Sequence, residues 1–302
     1  MMQILRTTGN EIRRILCSTG FWLAVGLTLI ILLTTIAHKE EDGTAYTVLS
    51  LALQFDKTEI LMIGVNVQNL FSTTVRYALP MYGPLLAALS FAVVLCEERK
   101  YGVRRYLLFK EGKMPYVLSK ALSAIVASGV AFLLAALLFL VFLYWEYPLM
   151  SAGNADSFQY WLDYQSVAPD GKPILWFQWF GEHAYVLLQL VGAFLYGMFC
   201  GFIGYICTAF FSNVYLAVCI PFFFGYIYYS LTQAIMARAI EGSVSWDVYN
   251  AVNAYVSPEG YMHYWRMTDS LMVNLIVLLA VWVIAIGIHM LQIQKATDCG
   301  VK

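Results

Sequence analysis

The sequence predicts an all-α membrane protein of six transmembrane helices, with an N-terminal interfacial helix. Three observations predict it. Of 302 residues, 61% are hydrophobic and only 12% charged, against about 25% charged in soluble domains. So little charge cannot coat a water-soluble surface, and lipid is the expected solvent for much of it. Long uncharged windows recur along the chain. Lysine and arginine gather on one side of the bundle those windows define. The net charge of -1 offers no basic face for nucleic acid.

A spanning helix needs about 20 apolar residues, and lipid requires its backbone to hydrogen-bond internally. The first window lies between Arg14 and Lys39. Twenty uncharged residues separate Arg76 from Glu97, 25 separate Lys120 from Glu146, and 25 separate Asp269 from Lys295. The 55 between Glu182 and Arg238 suffice for two spans and a turn at Ser212-Asn213. One membrane domain, 1–302, follows, with spans at about 20–38, 76–97, 118–145, 183–211, 214–236 and 270–293. The outer loops are 39–75, 146–182 and 237–269, and the inner loop is 98–117. The opening segment has the look of a signal peptide, but its apolar run is long and no small-x-small site follows. It is read as retained. Segment 60–75 is uncharged but carries Asn66, Gln68, Asn69 and Ser72. Such polarity is costly in lipid, so an outer-surface helix leading into span two is expected.

Orientation follows from the basic residues. Twelve of the 18 lie on one side: Arg6, Arg13 and Arg14, then Arg99, Lys100, Arg104, Arg105, Lys110, Lys113 and Lys120, then Lys295 and Lys302. That side is expected to be cytoplasmic, with both termini on it, in a multi-pass plasma-membrane protein. Residues 1–19 are predicted to lie along the inner surface. There Ile4, Leu5, Ile12, Ile15 and Leu16 share a side and the arginines snorkel.

The outer loops are aromatic. Phe158, Tyr160, Trp161, Tyr164, Trp176, Phe177, Trp179 and Phe180 fill the second, and Trp246, Tyr249, Tyr255, Tyr261, Tyr264 and Trp265 the third. They suit an interfacial belt or a lid over a hydrophobic substrate. Gly197 and Gly201 form a G-x-x-x-G pair for close helix packing, favoured as packing within one bundle over a subunit interface. Pro80, Pro84 and Pro221 are expected to kink their helices.

Several chemistries are missing. The six cysteines have no C-x-x-C spacing and read as small buried hydrophobes. No metal site is expected. There is no phosphate-binding G-x-x-x-x-G-K-[ST], since Gly112-Lys113 is followed by Met114. Glu97-Glu98 lacks the histidines of intramembrane CAAX-type proteases. Acidic and basic residues stand only at the ends of the predicted spans (Arg76, Glu97 and Lys120), whereas ion-coupled carriers usually need one near the midplane. His289, toward the inner end of span six, reads as a polar tail. The energy for any transport would come from elsewhere.

The inner loop reads Cys96-Glu97-Glu98-Arg99-Lys100-Tyr101-Gly102-Val103-Arg104-Arg105-Tyr106-Leu107-Leu108, continuing to Lys120. Glu98, Gly102, Leu107, Leu108 and Lys120 stand where type-2 ABC transporter permeases carry an acidic residue, a glycine, a Leu-Leu pair and a lysine. The chain resembles that family over nearly its whole length. It departs at Val103, where threonine is usual, and lacks the proline after Leu-Leu, Pro115 lying further on. The resemblance implies a short cytoplasmic coupling helix between helices 2 and 3, docking on an ATP-binding cassette subunit. Glu97, Glu98, Gly102, Arg104, Arg105, Leu107 and Leu108 would form that contact. The pairs Val103/Leu107 and Arg104/Leu108 are four apart, which gives a short helix one apolar face able to enter a partner's groove.

The resemblance also implies a dimer with a second permease copy or paralogue. ATP and magnesium would be held by the partner ATPase, with no cofactor on this chain and no enzymatic activity of its own. The expected substrate of export is hydrophobic or amphipathic: a peptide, lipid or drug. Phe223, Tyr226 and Tyr229 are candidates for the substrate path, with lipid-facing aromatics as the equal alternative. A membrane sensor or scaffold that moves nothing is the rival reading.

Overall fold

A computed structural model describes residues 2–40, 43–152, 179–248 and 268–298. The amphipathic helix α1 (Met2–Leu16) is followed by α2 (Thr19–Thr34), capped by Ser18, whose hydroxyl accepts the Phe21 amide at 3.2 Å. A hairpin, β1 (Ile36–Lys39) and β2 (Ala45–Thr47), leads to α3 (Val48–Gln54) and α4 (Lys57–Met62). Then come α5 (Val67–Lys100), α6 (Val103–Glu111) and α7 (Lys113–Glu146). After a 3-10 turn at Met150–Ala152 the remaining helices are α8 (Glu182–Phe210), α9 (Val214–Ile240) and α10 (Thr268–Asp298). The protein is almost entirely helical, and the antiparallel hairpin is the sheet among the described residues.

Five of these helices (α5, α7, α8, α9 and α10) are long and apolar enough to cross a membrane, and a sixth span results if α1 and α2 count together. Those two are bent by 59° at their junction. The architecture is that of a multi-pass membrane protein. α5, α7 and α8 form its centre, each packed on the other two. α2 fits against α5 and α7, α9 lies on α5 and α8, and α10 lies on α8 and α7. Both α5 and α7 have 34 residues, about 51 Å at 1.5 Å per residue, which exceeds the ~30 Å hydrocarbon layer. Their ends therefore stand clear of it.

Two boundaries differ from the sequence reading. Span one, expected over 20–38, ends as a helix at Thr34. Thr34 and Thr35 turn their hydroxyls back onto the carbonyls of Ile30 and Ile31. The chain then leaves the helix through the Thr35 cap and continues as strand from Ile36, a β-branched residue suited to it. Segment 60–75 is not one surface helix. α4 stops at Met62, and from Val67 the chain is already α5. Of its polar residues, Asn66, Gln68, Ser72 and Thr74 are buried against protein, while Asn69 and Thr73 are exposed. The Gln189 amide donates to the Ser72 hydroxyl at 3.2 Å, and Gln68 accepts the Met150 amide at 3.0 Å. Polarity did not exclude burial against another helix.

Pro84 is accommodated by packing. α5 continues through Pro80 and Pro84. Pro84 has no N–H, so the Pro80 carbonyl loses its helical donor. The Tyr196 hydroxyl of α8 donates to that carbonyl at 3.1 Å. Its ring lies against Gly83, where a Cβ would come within 2.6 Å. Tyr196→Phe is expected to leave the carbonyl unsatisfied and cost about 1–3 kcal/mol. Thermal unfolding in detergent micelles would read this as a lower midpoint; an unchanged midpoint would show that the bond contributes nothing.

The aromatic loop residues 158–177 and 249–265 lie outside the described residues, as does the predicted turn at 257–260. Trp179, Phe180 and Trp246 are described and exposed.

Candidate functional site

The basic end of the bundle carries the densest chemistry. α5 leaves the apolar core with Glu97-Glu98-Arg99-Lys100, and four consecutive polar side chains on a helix point four ways. Glu97 and Lys100 are exposed. Glu98 turns inward and is 1% exposed. Arg99 reaches α8 and donates to the carbonyls of Thr208, at 3.3 Å, and Ala209. These are among the last carbonyls of that helix, which lack intrahelical donors. A cation there also opposes the helix dipole.

Glu98 is the hub of a buried ion cluster. Lys120 of α7, also 1% exposed, places its ammonium 2.5 Å from Glu98 Oε1 and 2.5 Å from Glu11 Oε2 of α1. Arg14 of α1 pairs with the same Glu98 oxygen. The Tyr116 hydroxyl donates to Glu98 Oε2 at 3.4 Å. Two cations and two anions thus balance where three helices meet. The cluster fastens α1 to the basic ends of α5 and α7. Lys120 was legible as the basic residue opening helix three, but Glu11, Arg14 and Tyr116 gave no signal of a shared site.

Two glycines frame α6. Gly102, with φ +71°, and Gly112, with φ +86°, adopt backbone that other residues rarely take. α6 therefore stands as an independent nine-residue helix between α5 and α7. Its two faces differ. Arg104, Leu107, Leu108 and Glu111 turn toward the bundle and are half-buried. Leu107 and Leu108 pack beside Tyr116 and Val117 of α7 and Ile293 of α10. Arg104 lies within electrostatic reach of Tyr116, Tyr205 and His289. The other face presents Val103, Arg105, Tyr106, Phe109 and Lys110. Phe109 is 93% exposed and Tyr106 65%.

No protein-family model matches this sequence, and no curated protein is similar to it. The site stands on its own geometry.

The structure divides the residues expected to make a contact surface. Glu97, Gly102 and Arg105 are exposed, Arg104, Leu107 and Leu108 face the bundle, and Glu98 is enclosed in the ion cluster. Tyr106 and Phe109 take the outward places. Their three-residue spacing was visible in the sequence, as was the Leu-Leu pair; helical periodicity alone allowed either set to face out.

Gly197 and Gly201 lie against α7. A Cβ at Gly197 would stand 2.7 Å from the Ser128 carbonyl, and one at Gly201 would stand 2.6 Å from the Ser128 hydroxyl. Phe223 and Tyr226 stand on the exposed face of α9, and Tyr229 is half-buried. Phe222 turns inward and stacks on Tyr82 of α5 at 6.3 Å. Near that stack, a groove of about 320 Å³ is lined by Ile31, Thr34, Thr35, Ile36, Ala78 and Tyr82. A wholly apolar groove of about 300 Å³ lies between α7 and α8, against Leu133, Leu187 and Phe194. Among the described residues no three His, Cys, Asp or Glu side chains are grouped to hold a metal. His289 is buried against the Tyr205 ring at 4.8 Å, with Nδ1 unpartnered.

Proposed function

We propose that this protein is the membrane-spanning permease subunit of a type-2 ATP-binding cassette transporter, driven by a separate ATPase subunit. The observation that carries the reading is α6. A helix held between two positive-φ glycines, seated by Leu107 and Leu108 and presenting Tyr106 and Phe109 outward, suits a lever that receives a partner. Exposed aromatics flanked by Arg105 and Lys110 fit a groove with an apolar floor and an acidic rim. On this reading the basic end is cytoplasmic and a second permease copy or paralogue completes the transporter. ATP and magnesium reside on the partner, and the cargo is a hydrophobic or amphipathic molecule for export. Glu98 then acts by holding α5, α7 and α1 together beneath α6, without touching the partner.

The test is copurification from the native host. The wild-type chain is expected to retain an ATP-binding cassette subunit, and Tyr106→Asp with Phe109→Asp is expected to lose it while keeping the wild-type unfolding midpoint. Capture of the ATPase undiminished by the double variant would overturn the assignment of this face. Recovery of the wild-type chain with some other protein and no ATPase would favour a scaffold or sensor.

A further inference from the structure

The interfacial helix α1 has three sides. At 100° per residue, Thr8 and Ile15 fall on one, and both are buried. Glu11 lies at its edge and points to Lys120. The next flank is apolar: Leu5 is exposed, and Ile12 and Leu16 are half-buried. The third carries Arg6, Asn10 and Arg13, spaced i, i+4 and i+7, all exposed. Glu11 is the lone acidic residue of α1, and Lys120 draws it inward. Arg14, the third arginine, is committed to Glu98. The outward edge therefore keeps two cations and no anion.

Its position suits a membrane surface. Ile15 packs in the same cluster as Leu95 and Ala121, at the apolar ends of α5 and α7, while Glu11 meets the ion cluster just beyond. The helix thus lies where the apolar spans give way to charge. An apolar flank beside a cationic edge at that level matches acyl chains below and headgroups above. An acidic protein or nucleic acid would leave Leu5 and Ile12 uncovered. We infer that this face of α1 binds anionic phospholipid headgroups through Arg6 and Arg13, with Leu5, Ile12 and Leu16 in the acyl layer.

The test needs no transport assay and does not depend on the function proposed above. The full chain is placed in nanodiscs of phosphatidylcholine alone, or with about one-third phosphatidylglycerol, and amide hydrogen exchange of α1 is measured. Protection of α1 is expected to rise with phosphatidylglycerol, by about fivefold per arginine. The rise should vanish in Arg6→Gln/Arg13→Gln, persist in Arg6→Lys/Arg13→Lys, and persist in Arg105→Gln/Lys110→Gln on α6. If the glutamine variant fails to fold, salt decides with the wild-type chain: about 1 M NaCl should erase the lipid preference. Equal protection in both lipids, or a preference insensitive to salt, would overturn the proposal. So would protection by soluble polyglutamate without response to phosphatidylglycerol, which would assign the face to an acidic protein.

Discussion

Lys120→Met is expected to destabilise the protein by about 3–5 kcal/mol, the cost of leaving a buried ion pair half-made. Lys120 neutralises two carboxylates, Glu98 and Glu11, from a position 1% exposed. Methionine fills similar volume but strands Glu98 between Arg14 alone and the Tyr116 hydroxyl. Glu11 would lose the cation that holds it inward. Thermal unfolding in detergent micelles should show the loss as a much lower midpoint. Replacing the buried members together behaves differently. A Lys120→Met, Glu98→Gln, Glu11→Gln variant removes both anions with the buried cation, leaves Arg14 with a side chain 43% exposed to solvent, and should recover most of the stability. A single variant as stable as wild type would mean that water reaches the cluster. A triple variant no better than the single would mean that packing, not charge balance, sets the cost.

The second large effect is expected at Gly197. Leucine there should force α7 and α8 apart and cost about 3 kcal/mol, the upper end of ordinary overpacking. The obstacle is backbone: a Cβ would stand 2.7 Å from the Ser128 carbonyl and 3.0 Å from the Phe132 ring. In lipid, where the surrounding tails are as apolar as the helices, such close approach is itself a principal source of association. Gly201→Ala should be milder, because its nearest obstacles are side-chain atoms of Ser128 and not backbone. Gly287→Ala, with nothing within 4 Å, should be neutral or stabilising by about 0.5–1 kcal/mol. Unfolding midpoints of the three variants, measured side by side, should follow that order. A Gly197→Leu protein as stable as Gly287→Ala would show that the α7–α8 contact is looser than its geometry implies.

Much of the helical layout was legible from charge alone. The long window after Glu182 divides at Ser212-Asn213, where Asn213 caps α9 by accepting the Tyr215 amide at 2.9 Å. The window after Lys120 lies within α7, which begins earlier, toward the basic end, at Lys113. The reading was less apt where a helix changes surroundings along its length. The first turns of α5 are too polar for lipid, yet Gln189, Met150 and their neighbours supply the partners that water would otherwise give. Span one ends early because the chain leaves the helix at Thr34, through the Thr35 cap, and from Ile36 takes the strand that the hairpin offers.

The amino-acid sequence by itself determined that this protein is helical, belongs in a membrane and concentrates its cations at one end. Those properties are sums over whole helices, and a lipid solvent responds to sums. Only the tertiary structure decided which side of each helix meets protein. Glu97 and Glu98 are adjacent and chemically alike, but 100° of helical rotation leaves one in solvent and encloses the other with Lys120. The same rotation turns Leu107 and Leu108 onto α7 and sends Tyr106 and Phe109 outward. A residue's own hydrophobicity cannot make that choice, because the neighbour that buries it comes from elsewhere in the chain.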